Sequence, residues 1–249
     1  MKKIIMFLLG LALVANGEEI YATFYVEASK SSNLAFDTSG IVKNTFADAS
    51  SVVKKGQKLA ELNSEELGAS LAIAKAAVES AEVNLKFALK DYDRQVQVKH
   101  LIDEAQFDRY VLALESAKVK LSEAKANLAY KKTLYNKTVL YAPYDGVIVD
   151  RLIDKGDAVS GAQLKTAFRI QSSSERKLIL EFDQKYWQTV KSGQVFKFTI
   201  DGDLRTRTAK ITKVYPYANN TNRKMKAEVR AGGFSVGLFG NGYITTSSK

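Results

Sequence analysis

The sequence predicts an elongated chain of mixed α and β class, in which an antiparallel coiled-coil helical hairpin is inserted into a split β-sandwich and a small antiparallel β-barrel follows. Three observations lead to this prediction. Two similar β-rich segments lie about a hundred residues apart, the stretch between them has the spacing of paired helices, and short strand-like runs follow the second segment. A module interrupted by a pair of helices indicates a connector rather than an enclosed pocket.

Residues 1–17 are typical of a secretory signal peptide. Lys2 and Lys3 precede an apolar run, Ile4–Val14, and small residues follow that run before Glu18. The alternative is a membrane anchor that is retained, but an apolar helix of this length rises about 16 Å, roughly half the thickness of a hydrocarbon core. We therefore expect the chain to be exported.

The charge and the reactive side chains narrow the possible functions. The 37 basic and 27 acidic residues give a net charge of +10. The basic residues are scattered along an exported chain, which argues against nucleic acid and suits acidic lipids or an acidic partner. There is no cysteine, and His100 is the only histidine, so disulfides, catalytic triads and histidine-based metal sites cannot form within one chain. We therefore expect no enzymatic activity and no metal site.

The split β-sandwich is predicted from two segments, 34–62 and 138–171. In each segment a glycine, Gly40 or Gly146, opens an apolar strand. After about fifteen residues a second glycine precedes a strand that contains leucine. This internal symmetry indicates two halves of one module.

The helical hairpin is predicted over residues 63–137. Apolar residues there recur in alternating steps of four and three, the spacing that keeps one seam of a helix against a partner helix. On the first arm the seam consists of Leu67, Leu71, Ala74, Val78, Ala81, Leu85, Ala88 and Tyr92. On the second arm it consists of Phe107, Tyr110, Leu114, Ala117, Leu121, Ala124, Leu128 and Tyr135. Asn63 and Asp103 each precede a Glu or Gln by three residues, as in a capping box, which places the turn at His100–Asp103.

The predicted hairpin projects as a rod. Apart from isolated Val83, Phe87 and Val119, the positions outside the seam are mostly Lys, Glu, Asp, Gln and Asn. A hairpin that packed down on the strands would need a second apolar stripe, so projection is favoured. The turn carries apolar residues at the far end of the rod, which indicates a docking surface, although some of them could simply hold the turn together. These residues are Val96, Val98, Leu101 and Ile102.

The β-barrel is predicted from residues 18–33 together with 172–249. Turn residues separate short runs of β-forming residues, and the first of these runs can complete a barrel made by the others. The predicted strands are Ile20–Val26, Lys177–Phe182, Val195–Ile200, Thr208–Val214, Lys224–Val229 and Gly242–Thr245. Asp183–Val190 is predicted as a short helix, and Trp187 as a residue of the core.

Two stretches carry a resemblance to a known family. VVKKGQKLAEL (Val52–Leu62) and LYAPYDGVIVDRLIDKGDAVSGAQL (Leu140–Leu164) resemble the divided lipoyl/biotinyl domain of the periplasmic adaptor proteins, or membrane fusion proteins, of tripartite efflux pumps of the resistance-nodulation-division type. With the hairpin and the barrel, the resemblance covers nearly the whole mature chain. A lipoyl or biotinyl carrier needs a lysine on the turn between the halves, and the hairpin replaces that turn. We therefore expect no cofactor.

The resemblance implies partners and a location. It implies a periplasmic protein, peripheral to the inner membrane once the signal peptide is removed. It also implies self-association into a ring that joins an inner-membrane transporter to an outer-membrane channel and supports export of drugs or toxic compounds. The chain ends at Lys249, soon after the barrel, which leaves little room for the membrane-proximal domain of larger adaptors. The transporter class stays open, and an adaptor of an ABC-type exporter or of type I secretion is the alternative.

The resemblance also suggests which residues bind the channel. Adaptors of the resistance-nodulation-division type carry Arg, Leu and Ser at the hairpin tip, where this chain has Arg94, Val98 and Asp103. Together with the apolar Leu101 and Ile102, these residues form the predicted partner-binding tip. Asp103 has a competing structural role as the N-cap of the second helix.

Overall fold

The computed structural model describes residues 18–246. The predicted signal peptide, residues 1–17, lies outside this range. The chain forms two compact units, one of residues 32–170 and one of the residues up to Ser31 together with those from Gln171 onward. Among the described residues, no helix is both long and apolar enough to cross a membrane.

Within residues 18–246, the secondary structure consists of fourteen strands, two long helices and two short 3₁₀ segments. The helices are α1 (Glu65–Gln97) and α2 (Glu104–Asn136). The strands before the helices are β1 (Glu19–Ala28), β2 (Ser31–Leu34), β3 (Gly40–Thr45), β4 (Val52–Val53) and β5 (Lys58–Leu62). The strands after them are β6 (Val139–Tyr141), β7 (Gly146–Arg151), β8 (Ala158–Val159), β9 (Phe168–Ser172), β10 (Arg176–Asp183), β11 (Val195–Ile200), β12 (Asp203–Ala218), β13 (Lys224–Ala231) and β14 (Phe239–Thr245).

Six strands close into an antiparallel barrel in the order β1-β10-β13-β12-β11-β14. Buried residues alternate with more exposed ones along β1, because successive side chains of a strand point to opposite faces. Inside the barrel, the Phe24 ring contacts Phe196 and Phe198 edge to face, at centroid distances of 5.8 and 5.3 Å. The prediction that the amino-terminal strand completes the barrel is confirmed.

Two predictions for the segment after β10 are wrong. Only Gln184–Tyr186 is helical in this segment, and it forms a single 3₁₀ turn. The backbone N–H of Lys185 donates a hydrogen bond to the Asp183 carboxylate. Trp187 is 62% exposed and does not belong to the core. Phe182 and Val190, on either side of this segment, are buried and occupy the barrel interior, so the indole stays outside.

The two glycine-led segments pair with each other in two four-stranded sheets. One sheet has the order β2-β9-β7-β4 and the other β6-β5-β3-β8. Gly40 lies opposite Val159, and Gly146 lies opposite Val53, so each sheet contains strands from both segments. The shared core between the sheets consists mainly of aliphatic and aromatic residues that are almost inaccessible: Val42, Leu59, Ala60, Ile148, Phe168 and Ile170.

The helices α1 and α2 run antiparallel and contact each other along their length. A side chain at Gly68, near the start of α1, would lie 3.6 Å from the Tyr135 ring, near the end of α2. Midway, the Lys125 ammonium lies 3.4 Å from the Glu82 carboxylate. Near the turn, the rings of Tyr92 and Phe107 are 5.8 Å apart.

Every residue of the two predicted seams is buried or half-buried. The most enclosed are Ala74, Val78, Ala81, Phe107, Leu114 and Ala117. Outside the seam, Ile73, Leu112 and Tyr130 are further apolar residues that are well exposed, in addition to the three named from the sequence.

The helix starts differ in detail from the predicted capping boxes. The N-cap of α1 is Ser64, and the Asn63 side-chain oxygen accepts a hydrogen bond from the Glu65 backbone N–H at 3.2 Å. Asp103 is the N-cap of α2, but its side chain accepts no capping hydrogen bond. Its backbone carbonyl accepts from the N–H groups of Gln106 and Phe107 instead, each at 3.1 Å.

A polar cluster joins β3 and β5 where the chain leaves the sandwich for α1. The Glu61 carboxylate accepts hydrogen bonds from the Lys58 ammonium at 2.8 Å and from the Asn44 amide at 3.0 Å. These donors lower the pKa of Glu61 in the folded state, with Lys58 contributing most.

We expect Glu61→Gln to lower the free energy of unfolding at pH 7, by less than about 1 kcal/mol because the cluster is partly exposed. A depressed carboxyl pKa stabilises the fold above the unfolded-state pKa and loses this effect as the pH falls through the folded-state pKa. The difference between wild type and variant, measured by urea unfolding, should therefore shrink below about pH 4. A difference that stays constant from pH 7 to pH 3 would contradict this expectation.

Candidate functional site

The turn between α1 and α2 is short and ordered by backbone hydrogen bonds. Helix α1 ends at Gln97, a 3₁₀ turn covers Lys99–Leu101, and α2 begins at Glu104. The backbone N–H of Val98 donates to Gln95, and that of Leu101 donates to Val98 at 2.8 Å. The chain therefore reverses within a few residues, and the side chains of the turn are held on a defined backbone.

Three of the four apolar residues at the turn are exposed to solvent. Leu101 is 73% exposed, Val96 is 46% exposed and Val98 is 37% exposed, whereas Ile102 is only half-buried. Exposed aliphatic side chains so close together are the features of a docking surface. Among the predicted tip residues, Ile102 is the half-buried one. Its burial agrees with the alternative reading, in which some of the apolar residues hold the turn together.

The two charged residues of the predicted tip differ in their partners. The Arg94 guanidinium, on the last turn of α1, pairs with Asp91 on the same helix. The exposed Asp103 carboxylate makes no capping bond to α2. The backbone of Asp103 therefore serves as the N-cap of α2, and its carboxylate is available to a partner.

Next to the turn, two aromatic rings pack against each other between α1 and α2. Phe107 is buried, its ring contacts that of Tyr92, and the Lys99 ammonium lies 4.6 Å from the Phe107 centroid. A cation over an aromatic face is attracted by the ring quadrupole. Phe107 and Lys99 did not stand out as site residues in the sequence, because their role depends on the two helices meeting at the turn.

The sequence matches a family model described as the CzcB-like, barrel-sandwich hybrid domain over residues 30–171, which is more than half of the chain. A curated relative, the cobalt-zinc-cadmium resistance protein CzcB of Cupriavidus metallidurans, is 27% identical over 158 residues. These residues are 61% of this chain and 30% of that protein, so the chain spans less than a third of its relative.

Solved structures share the fold. MacA from Actinobacillus actinomycetemcomitans is 20% identical, with a TM-score of 0.76 over 92% of this chain and 79% of that one. A membrane fusion protein from Streptococcus pneumoniae is 18% identical, with a TM-score of 0.72 over 92% and 99% of the two chains. The strands that the sequence divides between two segments, and the helices inserted between them, therefore have counterparts in solved proteins. The chain belongs to the family of the CzcB-like, barrel-sandwich hybrid domain.

Proposed function

We propose that this protein joins an inner-membrane efflux transporter to an outer-membrane channel and that its hairpin reaches the channel. The observation that carries this proposal is the pairing of α1 with α2 along a closed seam that ends in exposed aliphatic residues at the tip. A helix of 33 residues is about 50 Å long at 1.5 Å per residue, a length suited to spanning a gap between two partners.

The tip provides the elements of a small protein interface. Leu101 and Val98 are apolar anchors, and Asp103 and Arg94 are polar groups at their edge. Interfaces are commonly stabilised by a few central apolar residues surrounded by polar ones. We expect Leu101, the most exposed of the apolar residues, to enter a pocket of the channel.

The exported compounds fall into two candidate classes. Drugs and other toxic organic compounds are the first, as expected for efflux adaptors. The second is suggested by the relative from Cupriavidus metallidurans, which is named for cobalt, zinc and cadmium resistance. An adaptor need not contact the compounds it exports, so the two classes of compound are distinguished by the sensitivity of a deletion strain to each of them.

The transporter partner is identified by a different experiment, which is co-purification of the protein with a resistance-nodulation-division transporter or with an ABC transporter.

We expect Leu101→Asp combined with Val98→Ser to reduce resistance to that of a strain without the protein. A carboxylate at the centre of an apolar contact loses its water without gaining a partner, which costs several kcal/mol in a buried position. The measurement is the minimal inhibitory concentration of the exported compounds, together with the amount of channel that co-purifies.

Leu164→Asp is the matched control, because Leu164 is 68% exposed and lies in the sandwich rather than at the tip. The control should keep full resistance. Normal resistance in the tip variant would contradict docking through the tip, provided that the variant is exported at the wild-type level. Equal loss in both variants would indicate a general effect of an added charge.

A further inference from the structure

A groove crosses the outer surface of the barrel at right angles to β1 and β14. Residues such as Phe24 and Ile244 fill the barrel core, so their neighbours along each strand face outward. Three consecutive outward pairs on these two strands form an aromatic row, a polar row and a second aromatic row. The pairs are Tyr21 with Tyr243, Thr23 with Asn241, and Tyr25 with Phe239.

The polar row forms the floor of the groove and continues onto the neighbouring strands. The register places Glu181 of β10 beside Thr23, and Thr199 of β11 beside Asn241. All four residues of the floor are half-buried. Neighbouring strands lie about 4.8 Å apart, so the floor is about 14 Å long.

The aromatic rows form the two walls of the groove. Tyr21 and Tyr243 are 52% and 45% exposed, and their rings meet edge to face at a centroid distance of 5.7 Å. In the other wall, Phe239 is 62% exposed and its ring lies 6.5 Å from that of Tyr25. The Tyr25 hydroxyl accepts a hydrogen bond from the Lys226 ammonium at 3.3 Å, which fixes the ring. The walls are four residues apart along a strand, or about 13 Å between their Cα atoms.

Open space lies over the floor on both sides of its midline. A cavity of about 370 Å³ is lined by the floor and by the wall of Tyr25 and Phe239. A second cavity, of about 710 Å³, is lined by the floor and by Tyr21 of the opposite wall. Thr23 and Glu181 line both cavities, so the open space continues from one wall to the other.

The floor carries hydrogen-bonding groups that the fold does not use. Within residues 18–246, the side chains of Thr23, Thr199 and Asn241 form no hydrogen bond with another residue. A hydroxyl both donates and accepts, and an amide does each with a different atom. A ligand that matches this floor therefore carries several groups that both donate and accept, as the hydroxyls of a sugar do.

The charges around the groove balance. The Glu181 carboxylate lies 3.4 Å from the Lys226 ammonium. Asp201 lies beside one wall, and Lys197 lies beside the other. A neutral ligand therefore suits the groove better than an ion does. An extended peptide is poorly matched as well, because the barrel is closed and offers no free strand edge for the peptide backbone.

We propose that this groove binds a neutral oligosaccharide. The apolar faces of the sugar rings pack against the aromatic walls, and the hydroxyls at the ring edges bond to Thr23, Asn241 and Thr199 on the floor. The groove lies in the unit that contains the barrel, and the hairpin tip lies in the other unit. Binding of a sugar is therefore independent of the proposed docking to a channel.

Titration of the full chain with cellotetraose, chitotetraose and maltotetraose, followed by amide NMR, tests the proposal. The side-chain amide of Asn241 gives a signal of its own, so contact with the floor is observed directly. We expect at least one of these sugars to shift this signal and the backbone signals of β1 and β14 in a saturable way. The absence of a saturable shift with all of the sugars would overturn the proposal, and so would shifts confined to the sandwich or the hairpin.

Thr23→Val combined with Asn241→Leu tests recognition of the hydroxyls. The two changes remove the polar groups of the floor, keep side chains of similar size and add no charge. We expect the affinity for the sugar, measured by calorimetry, to fall about tenfold or more, as for the loss of one or two hydrogen bonds. An unchanged or higher affinity would overturn the proposal, because it would mean that the groove binds apolar surface alone.

Tyr243→Ala tests the walls, and Tyr217→Ala is its matched control. Tyr217 is 61% exposed on β12 of the same barrel, outside the groove. We expect the affinity for the sugar to fall in the wall variant and to stay at the wild-type value in the control, with unchanged circular dichroism in both. Equal affinities in the two variants would show that the sugar binds elsewhere and would overturn the proposal.

Discussion

Gly242→Ala is expected to destabilise the barrel by about 3 kcal/mol, at the upper end of what overpacking costs. A Cβ atom at this position would lie 2.2 Å from the backbone oxygen of Lys197 and 2.8 Å from the Cα of Phe198. Gly242 belongs to β14, which is paired with β1 on one side and β11 on the other. Backbone held by two ladders cannot move aside as the end of a flexible side chain can.

Urea unfolding followed by circular dichroism measures this loss. Gly232→Ala is the matched control, because it adds the same methyl group in the same unit and its nearest neighbour, the backbone oxygen of Ser174, would be 3.7 Å away. The control should change the free energy of unfolding by less than about 0.5 kcal/mol. A Gly242→Ala protein as stable as its control would show that β14 can shift outward from the barrel.

The close approach of other groups to Gly242 also explains why the sequence predicted only part of strand β14. The strand was predicted from Gly242 onward, whereas β14 begins at Phe239. Gly240 and Gly242 lower the apparent strand propensity of this stretch, yet both are buried. A Cβ at Gly240 would meet the Thr199 backbone oxygen and the Phe24 ring, and a Cβ at Gly242 would meet the Lys197 backbone oxygen and the Cα of Phe198. The closed barrel brings these groups together, and barrel closure is a long-range property that local propensity does not contain.

The hairpin seam was predictable because its pattern, unlike barrel closure, is a local property of the sequence. Its spacing repeats locally over eight positions in each arm, and a helix that keeps such a repeat has one face for a partner. Trp187 was not predictable, because a single large aromatic residue in a loop has no period, and its exposure depends on which neighbours already fill the interior.

The tip was predictable in position but not in detail. Apolar residues between two amphipathic arms marked Leu101 and Val98, and both are exposed. The backbone carbonyl of Asp103, rather than its carboxylate, accepts hydrogen bonds from the first turn of α2, and this depends on the φ and ψ angles of Asp103. Such angles follow from how α2 meets the turn, which the sequence alone does not specify.

Leu114→Ala is expected to lower the free energy of unfolding of the unit that contains the hairpin by about 3 kcal/mol, within the range of buried leucine truncations. Leu114 is 5% exposed at the centre of the α2 seam. Removing its side chain leaves a cavity between the helices, because the close-packed neighbours can move only a little to fill it. Thermal unfolding followed by circular dichroism at 222 nm, where helices dominate the signal, measures the loss.

Leu112→Ala provides the comparison, because Leu112 lies two residues away on the same helix and is 70% exposed. In dilute protein the change should be within about 0.5 kcal/mol of zero. The two leucines therefore distinguish a buried contact between α1 and α2 from an exposed position on the same helix. Equal losses from both substitutions in dilute protein would mean that Leu112 is covered within its own chain.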